Sequence, residues 1–177
     1  TGQLCPSKIP ETFAGYCEPR TGDGVAGILC HYESGCLNGR EYIQTKLSQP
    51  MNTGDCYYVE FWVLLAENSK YSVNSIGITF TDDSLRHDDC GLLVADPAII
   101  SDFQLEETSD WVKVSGYYRS KGNERFLTLG NFFDDLGSNI IYRGDYYAEC
   151  SFPARGAYYF IDDVSVTADS LVNCVNE

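Results

Sequence analysis

Apolar and polar residues alternate with a period of two along most of this chain, and no segment of ordinary helical length shows a 3.6-residue period. The clearest run is Cys56 to Ala66. Tyr57, Val59, Phe61, Val63 and Leu65 form a continuous apolar face, assigned to the core, and Tyr58, Glu60, Trp62 and Leu64 fall on the other. Shorter strands are predicted around it. Val25 to Leu29 is a short apolar strand, and Arg40 to Leu47 sets Ile43, Thr45 and Leu47 against Tyr42, Gln44 and Lys46. Ile76, Ile78 and Phe80 share a face within Ser72 to Thr81. Leu92 to Phe103 is apolar but interrupted by Pro97, which points to an edge strand. After Asp110, Val112, Val114 and Tyr118 face one way, and Lys113, Ser115 and Tyr117 the other. Lys121-Gly122-Asn123 then turns the chain into R-F-L-T-L-G-N-F-F as a hairpin. Asp134 to Pro153 reads as a long insertion.

The closing strand, Ala157 to Val166, reads A-Y-Y-F-I-D-D-V-S-V. Its parity breaks at the acidic pair. If Tyr159, Ile161, Val164 and Val166 all face one core, a β-bulge must sit at Asp162-Asp163. If Phe160, Val164 and Val166 keep one parity, the strand is regular and Asp162 points inward. Either way two carboxylates are held near a sheet interior, where a bare charge is expensive. Backbone N–H groups, a basic side chain such as Arg40, or a hard cation such as calcium must compensate them.

Many short strands joined by turns, with long connections, predict an all-β fold, a jelly-roll β-sandwich of two antiparallel sheets. One domain is expected over residues 1–177. Its core spans 25–168, residues 1–24 form a disulfide-pinned N-terminal loop region, and 169–177 form a tail. A chain opening on Thr1 reads as a processed or trimmed product.

The net charge of -14 argues against nucleic acid and anionic membrane as partners. No apolar run has the length of a membrane span, so membrane insertion is not expected. The acidic T-D-D-S-L-R-H-D-D-C segment lacks EF-hand spacing and reads as solvated surface rather than a cation site.

Eight cysteines, Cys5, Cys17, Cys30, Cys36, Cys56, Cys90, Cys150 and Cys174, are spread along the whole length without a C-x-x-C pair. With only His31 and His87 beside them, zinc spacing is missing and four disulfides in an oxidising compartment are expected. Free buried thiols are the alternative for some of them. Cys30 and Cys36 are close enough for a local clip.

Five stretches together carry a resemblance: G-R-E-Y-I-Q-T-K-L-S-Q-P, Y-Y-V-E-F-W-V-L-L-A-E-N-S-K-Y, W-V-K-V-S-G-Y-Y, F-L-T-L-G-N-F-F-D-D and Y-Y-F-I-D-D-V-S-V. In this order the chain resembles, from about Phe13 to Cys174, the jelly-roll module of exported bacterial OmpA-type and adhesin-like surface proteins. That module is itself similar to xylan- and glucan-binding carbohydrate-binding modules. The resemblance implies a galactose-binding-like sandwich, a bacterial cell-surface location and a structural calcium near the closing strand. Asp162 and Asp163 match the family's acidic pair. Relatives usually begin with a strand reading roughly N-P-S-F-E, whose Glu helps hold the calcium, and that segment is missing here. Asp23 and Glu41 are its possible substitutes. A missing first strand also implies an open sheet edge, closed locally or by a strand from another copy.

Two functions follow. One is a structural or adhesive building block of a cell-surface assembly, such as a filament subunit, whose partners are other copies of itself or surface proteins. The other is a carbohydrate-binding module. There the outward parity of two strands offers Tyr58, Glu60, Trp62, Lys113 and Tyr117 to a glycan, with aromatic area and directional polar groups. Covering of Trp62 by a loop such as 134–153 would remove it from that set, and Trp111 reads as structural. Neither histidine sits in a nucleophile motif, and adjacent carboxylates in a strand point to opposite faces, so no enzyme is expected.

Overall fold

A computed structural model describes residues 8–33, 38–86, 91–145, 155–172 and 174. The long alternating run forms β5 (Cys56–Leu65), central in a four-stranded front sheet with β3 (Ala26–Tyr32), β12 (Gly156–Ala168) and β9 (Val112–Arg119). The back sheet contains β4 (Tyr42–Lys46), β10 (Phe126–Asn131), β7 (Ile76–Thr81) and β8 (Ile99–Ile100). Among the described residues there are also two small ribbons, β1 (Glu11–Thr12) with β2 (Gly15–Tyr16), and β6 (Tyr71–Ser72) with β11 (Ile141–Tyr142).

Every strand pairing among the described residues is antiparallel. The front sheet runs β3-β12-β5-β9 and the back sheet β4-β10-β7-β8. Successive main strands therefore cross between sheets except at the β7–β8 corner, and first and last main strands lie side by side. That order is a jelly roll. The apolar parity of each strand explains why two sheets close on each other. Val59, Phe61, Val63 and Leu65 of β5 meet Ile76, Ile78 and Phe80 of β7 and Leu127 and Leu129 of β10 in one buried cluster. Packing is close where the chain allows it: a Cβ on Gly116, opposite Val59, would come within 2.8 Å of the Ile99 side chain.

Tyr159 is the anchor of the closing strand. It is fully buried, and its hydroxyl donates to the Leu105 carbonyl at 2.7 Å and accepts the Val73 N–H at 2.9 Å. A buried phenol needs such partners, and here they tie β12 to two loops at once.

The sequence expectations need corrections at four places. Pro97 leaves a shorter strand than 92–103, since only Ile99–Ile100 pairs, although it is an edge strand as expected. Residues 8–25 are held without a Cys17 bridge, because Cys17 is a free buried thiol. Cys30 is free as well, so not all eight cysteines are bridged. The two lie in different apolar clusters on opposite sides of the front sheet and do not meet. Val164 is not a core residue; at 42% exposure it stands outside the cluster that holds Tyr159, Ile161 and Val166.

Cys56 and Cys174 do form a disulfide, joining β5 to the tail across 118 residues of sequence. Cys5, Cys36, Cys90, Cys150 and His87 lie outside the described residues.

Candidate functional site

Antiparallel register fixes which outward side chains become neighbours. On β5 and β9, Tyr58 stands opposite Tyr117, Glu60 opposite Ser115, and Trp62 opposite Lys113. On the other flank Thr167, Ser165 and Asp162 of β12 oppose the same three residues of β5. Tyr58 to Trp62 spans four residue steps, so the row is about 13 Å long at the strand rise. All five residues proposed from the sequence thus lie on the outward face of the front sheet.

Their geometry is interlocked. The Tyr58 and Tyr117 rings are 5.3 Å apart and tilted at 58°. Lys113 Nζ lies 3.5 Å from the Tyr58 hydroxyl, to which it donates, and 3.7 Å from the Glu60 carboxylate. The Tyr117 hydroxyl donates to Asp169 at 3.4 Å. Tyr117 is 48% exposed, whereas Tyr58, Glu60 and Trp62 are half-buried. Such a row offers ring faces beside a fixed donor and a fixed acceptor.

Trp62 has a lid, and its described part is Arg20. The Arg20 guanidinium lies 3.7 Å from the centre of its ring, and Lys113 Nζ lies 5.9 Å away. Arg20 belongs to an N-terminal arm that crosses one end of the outward face. The arm is seated by a second apolar cluster of Ala14, Cys17, Leu64, Ala66 and Phe160, with Phe13, Val25, Trp111 and Tyr158 against it. Burial pushes the Cys17 thiol up to about 11. Trp111 is structural as expected, donating its indole N–H to the Glu18 carbonyl at 3.2 Å.

The acidic pair holds the arm. On β12 three steps from Asp162 to Ser165 match two on β5 from Trp62 to Glu60, which is a β-bulge with one extra residue. Asp163 takes the left-handed conformation there, at φ 46°, a conformation that Asp tolerates better than most residues. Both carboxylates therefore turn toward the arm. Asp162 accepts the Arg20 N–H at 2.8 Å and the Asp163 N–H at 2.7 Å. Asp163 accepts the Thr21 hydroxyl and the Arg20 guanidinium. The Thr21 hydrogen bond, then the Arg20 contact, hold the Asp163 carboxyl below its ordinary range.

These residues do not fit the calcium site that the resemblance implies. A calcium ion takes six to eight oxygen ligands, and here a guanidinium and two N–H groups already bind oxygens of the pair. Asp23 is an exposed loop residue. Glu41 binds β3 instead, accepting the Leu29 N–H at 2.9 Å while its own N–H donates to the Leu29 carbonyl at 2.8 Å. Leu29 pairs with Tyr158, four residues before Asp162 on β12. Among the described residues no group of three or more His, Cys, Asp and Glu is placed to hold a metal ion. The Glu41 contact also closes the outer edge of β3 at Leu29 from within the chain.

Arg40 does not reach the acidic pair. Its buried guanidinium donates to Asp135 at 2.6 Å and to the Phe133 carbonyl at 3.3 Å, and His31 Nδ1 lies 3.1 Å from the same carboxylate. Burial lowers the His31 pKa, against the pull of Asp135. Asn131 and Ser138 extend this network by a 2.8 Å hydrogen bond, so His31 and Asp135 are tied into the structure.

Arg20 and Thr21 were not singled out in the sequence, and little there could have done so. They stand more than 140 residues from the carboxylates they bind. The only signal was the acidic pair's need for a partner.

No family model and no curated protein matches the chain. Among solved structures it is similar to the CBM22-1 xylan-binding domain of Paenibacillus barcinonensis Xyn10C. The identity is 15% and the TM-score 0.47, over 85% of this chain and 76% of that one. It is also similar to the K3 cleaved adhesin domain of the Lys-gingipain of Porphyromonas gingivalis W83. There the identity is 10% and the TM-score 0.40, over 84% of this chain and 81% of that one. The jelly-roll assignment rests on the strand order of this chain, not on these likenesses.

Proposed function

We propose that the chain is a non-catalytic extracellular binding module whose ligand surface is the outward row on β5 and β9. The ligand class is a glycan. One observation carries the reading: Tyr58, Tyr117, Glu60 and Lys113 make an outward-facing row of aromatic rings with a cationic donor and an anionic acceptor set between them. Sugar rings offer C–H faces to stack on such rings and hydroxyls to both polar groups. The Cys56–Cys174 disulfide supports an oxidising, extracellular compartment. The non-catalytic reading is supported by the engagement of Asp135, Asp162 and Asp163 with Arg40, Arg20 and Thr21, which leaves none of them free to act as an acid or base.

The test is calorimetric titration with a panel of soluble oligosaccharides, on the parent protein and on Tyr117→Ala. At least one oligosaccharide is expected to bind. Loss of one stacking ring should weaken that binding about tenfold, or about 1.4 kcal/mol. A panel without binders, or binders indifferent to Tyr117→Ala, would remove the reading.

The second reading, a building block in a cell-surface assembly, is favoured by apolar side chains away from that row. Val94 and Leu136 are each 96% exposed, and Phe133 lies beside a shallow apolar depression with Leu92 and Val94. Exposed patches of this kind mark contact surfaces when they are contiguous. Oligomer formation at micromolar concentration, abolished by Leu136→Lys, is its expected signature.

A further inference from the structure

We propose that a second cleft, between the N-terminal arm and the Leu64 end of β5, is a binding site for an organic cation, either an alkylammonium or a guanidinium group. The cavity has a volume of about 420 Å³, and Tyr16, Glu18, Arg20, Glu67 and Trp111 line it above Leu64. That volume lies within the range of small-ligand sites.

The chemistry of the lining selects the ligand. The donors of Tyr16 and Trp111 in the cleft are already used. The Tyr16 hydroxyl donates to Glu18, the Tyr16 N–H to Glu67 at 3.1 Å, and the Trp111 indole N–H to the Glu18 carbonyl. The Arg20 guanidinium gives one N–H to Asp163 and is drawn over the Trp62 ring on the front sheet. Thr108 and Ser109 carry hydroxyls that serve either way. What remains in surplus is acceptor capacity. The Glu18 and Glu67 carboxylates each take a hydrogen bond from Tyr16, yet neither has a cationic partner among the described residues. The acids of the described ion pairs, Glu33, Glu60, Asp135, Asp145 and Asp163, all do.

A cleft with two carboxylates that have no cationic partner among the described residues complements a group that only donates. Ammonium carries three donors and guanidinium five, and neither accepts. Two aromatic residues in the lining add an attraction that a neutral ligand would not feel. Tyr16 itself registers the local field: its hydrogen bond to Glu18, then desolvation, raise its pKa. The net charge of -14 draws cations toward the surface at long range. A protein partner's Lys or Arg side chain and a free small amine share this chemistry.

The probes are N-acetyl-lysine methylamide and N-acetyl-arginine methylamide for peptide side chains, and choline for a free amine. N-acetyl-norleucine methylamide is the neutral control. Each is titrated at low ionic strength while the indole N–H resonances of Trp62 and Trp111 are followed by NMR. The cationic probes should shift Trp111 saturably, the neutral control should not, and Glu67→Gln should weaken the effect about tenfold, or about 1.4 kcal/mol. Glu18→Gln/Glu67→Gln should abolish it. Glu67 is exposed, so both variants are expected to keep the parent fold, which the dispersion of the same spectra checks. Response to the peptide probes alone would name a protein partner, and equal response to choline a small amine. No cation-specific shift at Trp111, or a shift unchanged in the double variant, overturns the proposal. The glycan reading is independent of this outcome, since it is scored at Tyr117.

Discussion

The two faces of the front sheet are built from the same strands and obey different rules. On the inner face every second residue of β5 and β9 is apolar except Gly116, and these apolar residues join one cluster with the back sheet. The outward face carries the intervening residues, and it divides into a covered end and an open end. At the covered end Leu64 and Phe160 lie under the arm. At the open end Tyr58, Glu60, Lys113 and Tyr117 hold one another. Burial organises the first face, and polar contacts between neighbours organise the second. A sheet that is amphipathic by register can therefore carry stability on one side and recognition on the other.

Adjacent truncations should separate these faces most strongly. Phe61→Ala removes a fully buried ring and is expected to cost about 3–5 kcal/mol in chemical unfolding. Tyr117→Ala, on the outward face, should stay within about 0.5 kcal/mol of the parent. Equal losses at the two positions would dissolve the distinction.

The next effect belongs to the disulfide. Cys56 and Cys174 fasten the start of β5 to the tail, and a double replacement by Ala should lower stability by about 2–4 kcal/mol. Thiol titration of the denatured, unreduced protein should detect at least Cys17 and Cys30. A titration that finds no free thiol would contradict their assignment.

Acid should release the arm before it disturbs the core. The folded-state pKa of Asp163 is depressed by Thr21 and Arg20. Its contribution is therefore fully present above the unfolded value of about 3.9 and is lost as pH falls through the lower folded value. The emission of Trp62, relieved of the Arg20 guanidinium, should change in that window while β-sheet circular dichroism persists. Asp163→Asn should produce the same emission change at neutral pH. Excess chelator should leave the melting temperature unmoved, because a guanidinium already faces the acidic pair; a fall would restore calcium to the site.

The inner face was legible in the sequence, because alternation encodes it directly: Val59, Phe61 and Val63 were assigned to the core and lie there, and Val112, Val114 and Tyr118, read as sharing one face, pack in or against the same cluster. The break of parity at Asp162-Asp163 left a bulge and a regular strand open; the bulge is the one found, and Val164 leaves the core. The outward row was legible as a parity set, since register follows from strand pairing. What stayed hidden depends on contacts between distant segments. Arg20 lies over Trp62 and binds Asp163, Arg40 lies buried against Asp135, and Glu41 closes β3. Charged residues of this kind look alike in sequence, and only the path of the arm and loops decides which acid each one meets. Cys17 and Cys30 were misjudged for the same reason, because an even cysteine count carries no geometry.

The central claim is that the open end of the outward face binds a glycan. It is tested most directly by amide chemical-shift mapping of the intact protein, titrated with the tightest oligosaccharide of the panel. Saturable shifts are expected at Tyr58, Glu60, Lys113, Ser115 and Tyr117, with β4, β7 and β10 unmoved. Shifts confined to the back sheet or its loops, with the Tyr58–Tyr117 row silent, would contradict it.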